Sequence, residues 1–267
     1  MRIILQSFII LSLVGCQFLE KDSSKSEQEL YNSQVGVSEV SGVWGLTSYL
    51  DTIVVNKELA KYRSQFPAWF AILLEIEGDT IKSYGSLKNI AGKVTVNQDT
   101  IFKFENTESG KWLLLKGADE LILKQFLNQE YPDSNVYTYR RRADLRYMTE
   151  HLNSRGLKIQ RVLTEYFNKN ILSGQYKLSK KGGTVYFKED GKLEGIEGFK
   201  NYNLDIYFGT YHPFKNLDIV YLEDHESGKL AYFNWKINSD NLVLTEFSRE
   251  ESESFYLGKR KIILKRE

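Results

Sequence analysis

Gly42-Val43-Trp44-Gly45-Leu46 and Gly174-Gln175-Tyr176-Lys177-Leu178 each open a series of short apolar segments that glycine, aspartate and asparagine separate. Short apolar runs joined by tight turns are typical of antiparallel barrels and sandwiches. The chain is also rich in tyrosine and contains only 3 prolines, which favours strands over a helical bundle. The sequence therefore predicts a mainly β protein with two antiparallel barrel or sandwich domains.

The two series of segments look like copies of one another. Glu108-Ser109-Gly110-Lys111-Trp112 matches Glu226-Ser227-Gly228-Lys229-Leu230, in each case a turn that leads into a strand. Each series also closes on a basic final segment, at residues 137–142 and 260–266. Coincidence is the alternative, because Ser-Gly-Lys is an ordinary turn sequence. We predict an internal repeat, with domains at 41–142 and 173–267.

Residues 143–172 interrupt the strand pattern. Apolar residues there follow helical spacing: Leu145, Met148, Leu152, Ile159, Val162, Leu163, Tyr166 and Phe167. The segment is predicted to be a helical connector packed on neighbouring strands, and the alternative is an exposed face that binds a partner. A further helix is predicted over 56–66, ending before Pro67.

The opening motif resembles that of the lipocalin-like β-barrels, which begin their first strand with Gly-x-Trp. Gly42 and Trp44 match that pattern, whereas the second series has Tyr176 in place of the tryptophan. In this family an arginine of the last strand packs across the indole, so the resemblance implies that Arg140 or Arg142 covers Trp44. The alternative is an ordinary core tryptophan in another β fold.

The N-terminus carries the only cysteine of the chain, Cys16, in Leu13-Val14-Gly15-Cys16. Residues 3–14 form an apolar run that is too short to span a bilayer but has the length of a signal-peptide core. The motif resembles a bacterial lipobox, which implies cleavage after residue 15 and attachment of a lipid, including a fatty acyl chain such as palmitate, to Cys16. The alternative is a buried cysteine in a hydrophobic N-terminal strand.

A lipid on Cys16 would anchor the protein to a membrane of the cell envelope. We expect the outer membrane and leave open whether the protein faces the periplasm or the surface. Residues 16–40 are mostly polar and charged and are predicted to form a flexible tether. Without residues 1–15 the chain carries equal numbers of basic and acidic side chains, which argues against nucleic acid as a partner.

The sequence offers little for catalysis. Its three histidines, His151, His212 and His225, lie in no metal-binding or nucleophile motif. Glu223-Asp224-His225-Glu226 could form an acid–base or metal cluster, but a charged turn is favoured because adjacent strand residues point to opposite faces. We therefore predict no enzyme activity, no metal site and no cofactor.

Alternating aromatic residues are the best indication of binding. Phe233 and Trp235 share one face of a predicted strand, and Phe208 lies on the inner face of another. Such faces either fill a small barrel or line a cavity for one apolar ligand. Tyrosines could instead form an exposed patch for a partner: Tyr202, Tyr207, Tyr211 and Tyr221.

These patterns support two functional hypotheses. The first is a non-enzymatic binding module for a small hydrophobic ligand or a protein, with Phe208, Phe233 and Trp235 as candidate lining residues. The second is a structural, assembly or inhibitory (immunity) envelope protein, with solid barrels and a surface that docks a protein.

Overall fold

The computed structural model describes residues 36–62, 71–85, 89–94, 99–106, 110–126, 135–155, 158–179, 182–206, 214, 216–249 and 255–267. The predicted signal peptide, Cys16 and most of the predicted tether lie outside these residues. The end of the predicted tether, 36–40, is helical, and its Val37 and Val40 are buried.

The described chain forms two eight-stranded antiparallel sheets, which confirms the predicted fold class. The strands of the first sheet are β1 Gly42–Leu46, β2 Leu73–Glu77, β3 Thr80–Tyr84, β4 Asn89–Lys93, β5 Thr100–Asn106, β6 Gly110–Lys116, β7 Glu120–Phe126 and β8 Asn135–Arg141. The strands of the second are β9 Gly174–Leu178, β10 Thr184–Phe187, β11 Leu193–Glu194, β12 Phe199–Leu204, β13 Ile219–Asp224, β14 Leu230–Asn238, β15 Asn241–Arg249 and β16 Phe255–Arg266.

Both sheets are up-and-down meanders in which the first strand pairs with the last. The first sheet has the order β4-β3-β2-β1-β8-β7-β6-β5, so β4 and β5 are its edges. The second has the order β11-β10-β9-β16-β15-β14-β13-β12. An isolated bridge between Lys192 and Asn201 joins its two edges, and the Tyr202 N–H donates to the Gly191 carbonyl at 2.7 Å. The second sheet is therefore nearly closed, and we call it the second barrel.

The helices are α1 Thr47–Asn56, α2 Arg146–Arg155 and α3 Ile159–Phe167, with 3₁₀ turns at Ala60–Tyr62 and Ala143–Leu145 and a π-helical turn at Asn168–Leu172. The helix predicted over 56–66 is wrong for its described part, 56–62, and residues 63–66 lie outside the described residues. The helix follows β1 directly and buries Tyr49, Leu50 and Ile53. It ends at Asn56 because Lys57 adopts a left-handed conformation, from which its N–H donates to the Ile53 carbonyl at 2.7 Å.

The predicted helical character of the connector is confirmed. Its apolar stripe, from Leu145 in the 3₁₀ turn to Phe167 in α3, is buried, which supports the packed alternative over an exposed partner-binding face. The π-helical turn continues the helical segment to Leu172, immediately before β9.

Contacts between Cα atoms group the chain into two compact units. Of the described residues, one contains 36–42 with those of Glu75–Lys82 and Ala91–Val136. Its core includes Trp112, Leu114 and Leu123. A Cβ on Gly92 of β4 would lie 2.6 Å from Phe102 of β5, so glycine is needed where this backbone passes the ring.

The other unit contains Val43–Leu74, Ser83–Ile90 and Tyr137–Glu267. It comprises α1, the helical connector and the whole second barrel. Within it, Asp218 Oδ1 accepts hydrogen bonds from the Leu59 and Ala60 N–H groups at 2.7 and 2.6 Å, which fixes the 3₁₀ turn after α1. The domain boundaries proposed from sequence, 41–142, 143–172 and 173–267, stay predictions.

Candidate ligand-binding site

The guanidinium that covers Trp44 belongs to Arg141. Its central carbon lies 4.8 Å from the centroid of the indole ring. This corrects the prediction of Arg140 or Arg142. Trp44 and Arg141 are directly paired in the β1–β8 register, so their side chains leave the sheet on the same face, whereas neighbouring strand residues leave it on the other. Arg140 pairs with Gly45 and is exposed.

Arg142 instead holds a cluster of polar side chains. Its Nε and Nη2 each donate to the Asp144 carboxylate at 2.8 Å, its Nη1 donates to Asp51, and its Nη2 also reaches the Tyr166 hydroxyl at 3.2 Å. The hydrogen bonds from Arg142 hold the pKa of Asp144 below its ordinary value, and Asp144 in turn raises the pKa of Arg142. Desolvation by burial raises the pKa of nearby Tyr147 to about 12. The hydrogen bonds of Arg142 thus tie α1, α3 and the end of β8 together.

The second barrel repeats the pairing of first and last strands. Tyr176 pairs directly with Arg266, and the guanidinium carbon lies 5.9 Å from the tyrosine ring centroid. Both first strands begin with glycine at positive φ, 139° at Gly42 and 145° at Gly174. The tryptophan-to-tyrosine change in the second series therefore preserves the aromatic–arginine pairing.

Aromatic rings fill part of the second barrel. Phe187 packs edge-to-face against Tyr176 and Tyr202, with ring centroids 5.4 and 4.9 Å apart. Phe233 and Trp235 are fully buried, as expected for inward-facing residues, whereas Phe208 lies outside the described residues. The Trp235 Nε1–H is buried and has no hydrogen-bond partner in the described part of the chain.

Two of the four tyrosines of the proposed patch, Tyr202 and Tyr221, lie among the described residues. Tyr202 is buried, and its hydroxyl donates to the Lys188 carbonyl at 2.7 Å. Tyr221 is half-buried against Tyr232, with ring centroids 5.1 Å apart, and Tyr207 and Tyr211 lie outside the described residues. Burial of Tyr202 removes one of the four rings from any docking surface.

A cleft of about 620 Å³ opens in the wall of the second barrel. Its lining is Leu178, Gly183, Gly195, Ile196, Glu197, Lys259, Arg260, Lys261, Ile262 and Ile263. The position of the cleft follows from the unequal lengths of β9 and β16, which contain 5 and 12 residues. The two strands pair only where Tyr176–Leu178 faces Leu264–Arg266.

Beyond that pairing β9 ends, whereas β16 extends back to Phe255. The Ser179 N–H still donates to the Ile263 carbonyl at 3.0 Å, and the Leu178 N–H donates to the Gly183 carbonyl at 2.8 Å. The cleft lies between Leu178 and Gly183, residues 195–197 and β16. Ile196 is buried, and Leu178 and Ile262 are half-buried, so they give the cleft apolar surface. Lys259, Arg260 and Lys261 are exposed at its rim.

The sequence did not identify this cleft. Its residues come from three separate segments, and their apolar members are ordinary strand or turn residues. Two sequence features lie near the cleft, the basic final segment and the pair Gly182-Gly183. Neither indicates that β16 extends beyond the end of β9.

The histidines do not assemble a reactive centre in the described structure. His225 is exposed in a turn that Asp224 organises by accepting the Ser227 N–H and Oγ at 2.8 Å each. These hydrogen bonds lower the pKa of Asp224. His151 lies on α2 with its ring centroid 6.0 Å from that of Tyr147, and His212 is outside the described residues. Within the described ranges, no group of three or more His, Cys, Asp or Glu side chains could hold a metal ion.

One structural observation concerns whether a helix crosses a membrane. Among the helices in the described ranges, none combines the length and the hydropathy needed to cross a bilayer.

A scan against protein-family models, a search of curated proteins and a search of solved structures each found no match for this chain.

Proposed function

We propose that this protein is a non-enzymatic binding module of a bacterial envelope, anchored through a lipid on Cys16, which takes a small hydrophobic ligand into the cleft of the second barrel. The observation that carries the proposal is the cleft itself. Its volume of about 620 Å³ falls within the range of about 300–1,000 Å³ that is usual for small-molecule sites. Leu178, Ile196 and Ile262 provide the apolar surface that such a ligand would cover.

The anchor is supported by the position of Cys16 after a short apolar run. Two or more acyl chains hold a protein stably on a membrane, whereas one chain binds only marginally. We expect Cys16→Ser to move the protein from the membrane fraction to the soluble fraction of the cell. Unchanged membrane retention would contradict the lipoprotein proposal.

One observation favours the second candidate, a solid barrel that docks a protein. Phe187 packs against Tyr176 and Tyr202 inside the barrel, so no space for a ligand remains between these rings. On this alternative the cleft is only a gap in the wall, and a partner protein would bind elsewhere.

A neutral fluorescent probe, N-phenyl-1-naphthylamine, separates the two candidates. We expect it to bind the full chain with a stoichiometry of one and to gain fluorescence as it leaves water. Gly183→Phe should abolish binding, because a ring at this position fills the cleft. A Cβ there meets only Leu178 Cδ1, at 3.4 Å, so the fold has room for the first atom of the new side chain.

Lys236→Phe is the matched control, since Lys236 is exposed on β14 and does not line the cleft. It adds the same ring and should bind the probe like the unchanged chain. Absence of probe binding, or equal binding by the Gly183→Phe variant with its circular dichroism spectrum unchanged, would reject the cleft as the site and favour the docking protein.

A further inference from the structure

We infer that the ligand of this cleft is an anionic amphiphile, whose carboxylate or phosphate head group is bound by Lys259 and Lys261 while its apolar body covers Ile196 and Ile262. The inference rests on the proposed function in placing a ligand in the cleft, and it adds the chemical class of that ligand.

The first support is an irregularity in β16. Thr245 of β15 pairs with Lys261, and Phe247 pairs with Leu257, so residues 258–260 stand opposite Glu246 alone. Bulges of this kind redirect side chains and are common beside binding sites. In a regular strand, alternate residues would face away from the cleft. The irregular stretch includes Lys259 and Arg260, whereas Lys261, Ile262 and Ile263 keep regular pairing with Thr245, Leu244 and Val243. All five residues contribute to the lining, and the exposed cations Lys259, Arg260 and Lys261 lie at its rim.

The second support is the balance of charge around the rim. Arg260 Nη1 lies 3.5 Å from the Glu246 carboxylate, so this cation already has a partner. Lys259 and Lys261 form no ion pair with any described residue, and Glu197 is the one carboxylate among the lining residues that the structure describes. The lining therefore carries an excess of positive charge beside an apolar surface. An anion next to this rim gains Coulomb energy that a neutral or cationic head group does not.

The competing explanation is that these lysines protect an exposed strand edge. Beyond its pairing with β9, one edge of β16 pairs with no strand of the described residues, and lysines on open edges discourage the addition of another strand. Under that explanation the charge has no ligand, and removing it would leave the affinity for amphiphiles unchanged.

The test compares four probes that share one twelve-carbon chain: dodecanoate, dodecyl phosphate, dodecanol and dodecylammonium. Each is titrated calorimetrically, below its micelle concentration, into the full chain carrying Cys16→Ser. We expect at least one of the two anions to bind about tenfold or more tightly than dodecanol, a difference of about 1.4 kcal/mol. Dodecylammonium should bind more weakly than dodecanol, and added salt should weaken only the anions.

Substitution then assigns the effect to the rim. The double variant Lys259→Gln/Lys261→Gln should bind the anions no more tightly than dodecanol. Lys236→Gln/Lys265→Gln removes the same charge from exposed positions outside the cleft and should keep the preference. Trp235 provides an independent optical readout, because the pairs Trp235–Leu244 and Leu244–Ile262 place it in the same row of the barrel wall as Ile262.

The outcomes separate the two proposals. Equal affinity for dodecanoate, dodecyl phosphate and dodecanol, or an unchanged preference in the Lys259/Lys261 variant, overturns the anionic head group but leaves the hydrophobic cleft in place. Failure of all four probes to bind overturns the proposed function as well. A preference for dodecyl phosphate indicates a phospholipid-type head group, and a preference for dodecanoate indicates a fatty-acid carboxylate. Either preference supports the inference.

Discussion

The first sheet and the second barrel share a frame but differ in the element that comes after their first strand. In both, an aromatic residue of the first strand faces an arginine of the last strand. The residue after this arginine donates its backbone N–H to a carbonyl of the first strand, Arg142 to Val43 at 2.8 Å and Glu267 to Gln175 at 3.0 Å. After this common frame, α1 begins directly after β1, whereas β9 ends in a short turn.

The difference decides whether the outer face of the first strand is covered. At Gly45, an added Cβ would lie 2.9 Å from Leu50 of α1 and 3.0 Å from Leu145. At the corresponding Lys177, the side chain reaches solvent and pairs with Glu267 at 2.5 Å. The same strand frame thus serves as a helix-covered scaffold in one case and as an exposed barrel wall with a cleft in the other.

Substitution of the aromatic residue in each aromatic–arginine pair should have the largest effect on stability. Trp44→Ala and Tyr176→Ala each remove a buried aromatic ring, so each should lower the free energy of unfolding by about 3–5 kcal/mol. Denaturant titration followed by circular dichroism measures both values. Lys236→Ala, at an exposed position, serves as the control. A loss under about 1 kcal/mol at either aromatic position would show that the two positions are not equivalent.

Two glycines distinguish the covered face from the cleft. Gly195 has a φ of 86°, and a Cβ there would lie 2.0 Å from the Thr184 carbonyl oxygen. Gly195→Ala should therefore cost about 2–3 kcal/mol. Gly45→Ala should cost less, because its Cβ meets only the flexible ends of Leu50 and Leu145. Thermal melting of the two variants side by side checks the order, and a larger loss for Gly45→Ala would contradict the account.

The residues that follow the two last strands, Arg142 and Glu267, should differ in their effect on stability by a smaller amount. Arg142→Gln removes a partly buried guanidinium with three partners, and we expect a loss of about 1–2 kcal/mol in the free energy of unfolding. Glu267→Gln changes an exposed partner of Lys177 and should leave the melting temperature nearly unchanged. Equal effects of the two substitutions would mean that the Arg142 cluster contributes no more than a surface ion pair.

The smallest expected effect is the loss, at low pH, of the stability that Asp144 contributes to the Arg142 cluster. The pKa of Asp144 is lowered in the folded protein, so its contribution to stability is present above its ordinary value of 3.8 and is lost as the pH falls through the lowered pKa. The unchanged protein should exceed Asp144→Asn in free energy of unfolding at pH 7, by at most about 1 kcal/mol because Asp144 is largely exposed. Denaturation at stepped pH values should show this difference disappearing in acid. A difference that persists below the lowered pKa would contradict the assignment.

The sequence predicted repeating features better than unique ones. The strand series and the helical spacing from Leu145 to Phe167 reflect burial at a regular period, which a sequence displays directly. The α1 boundaries were missed because the helix follows β1 without a capping side chain, and its end depends on the left-handed Lys57. Arg141 was missed because a shift of one residue in register reverses which arginine faces Trp44. The cleft was missed because it depends on where β9 stops relative to β16.

Native mass spectrometry of the protein released gently from its own membrane tests the central claim most directly. We predict that the unchanged protein carries one additional small mass with the composition of an acidic amphiphile. Gly183→Phe, which fills the cleft, should lose this mass, whereas Lys236→Phe should retain it. A bare protein mass, a protein partner in place of a small molecule, or a small mass that persists in Gly183→Phe would contradict the claim that the second barrel binds its ligand in this cleft.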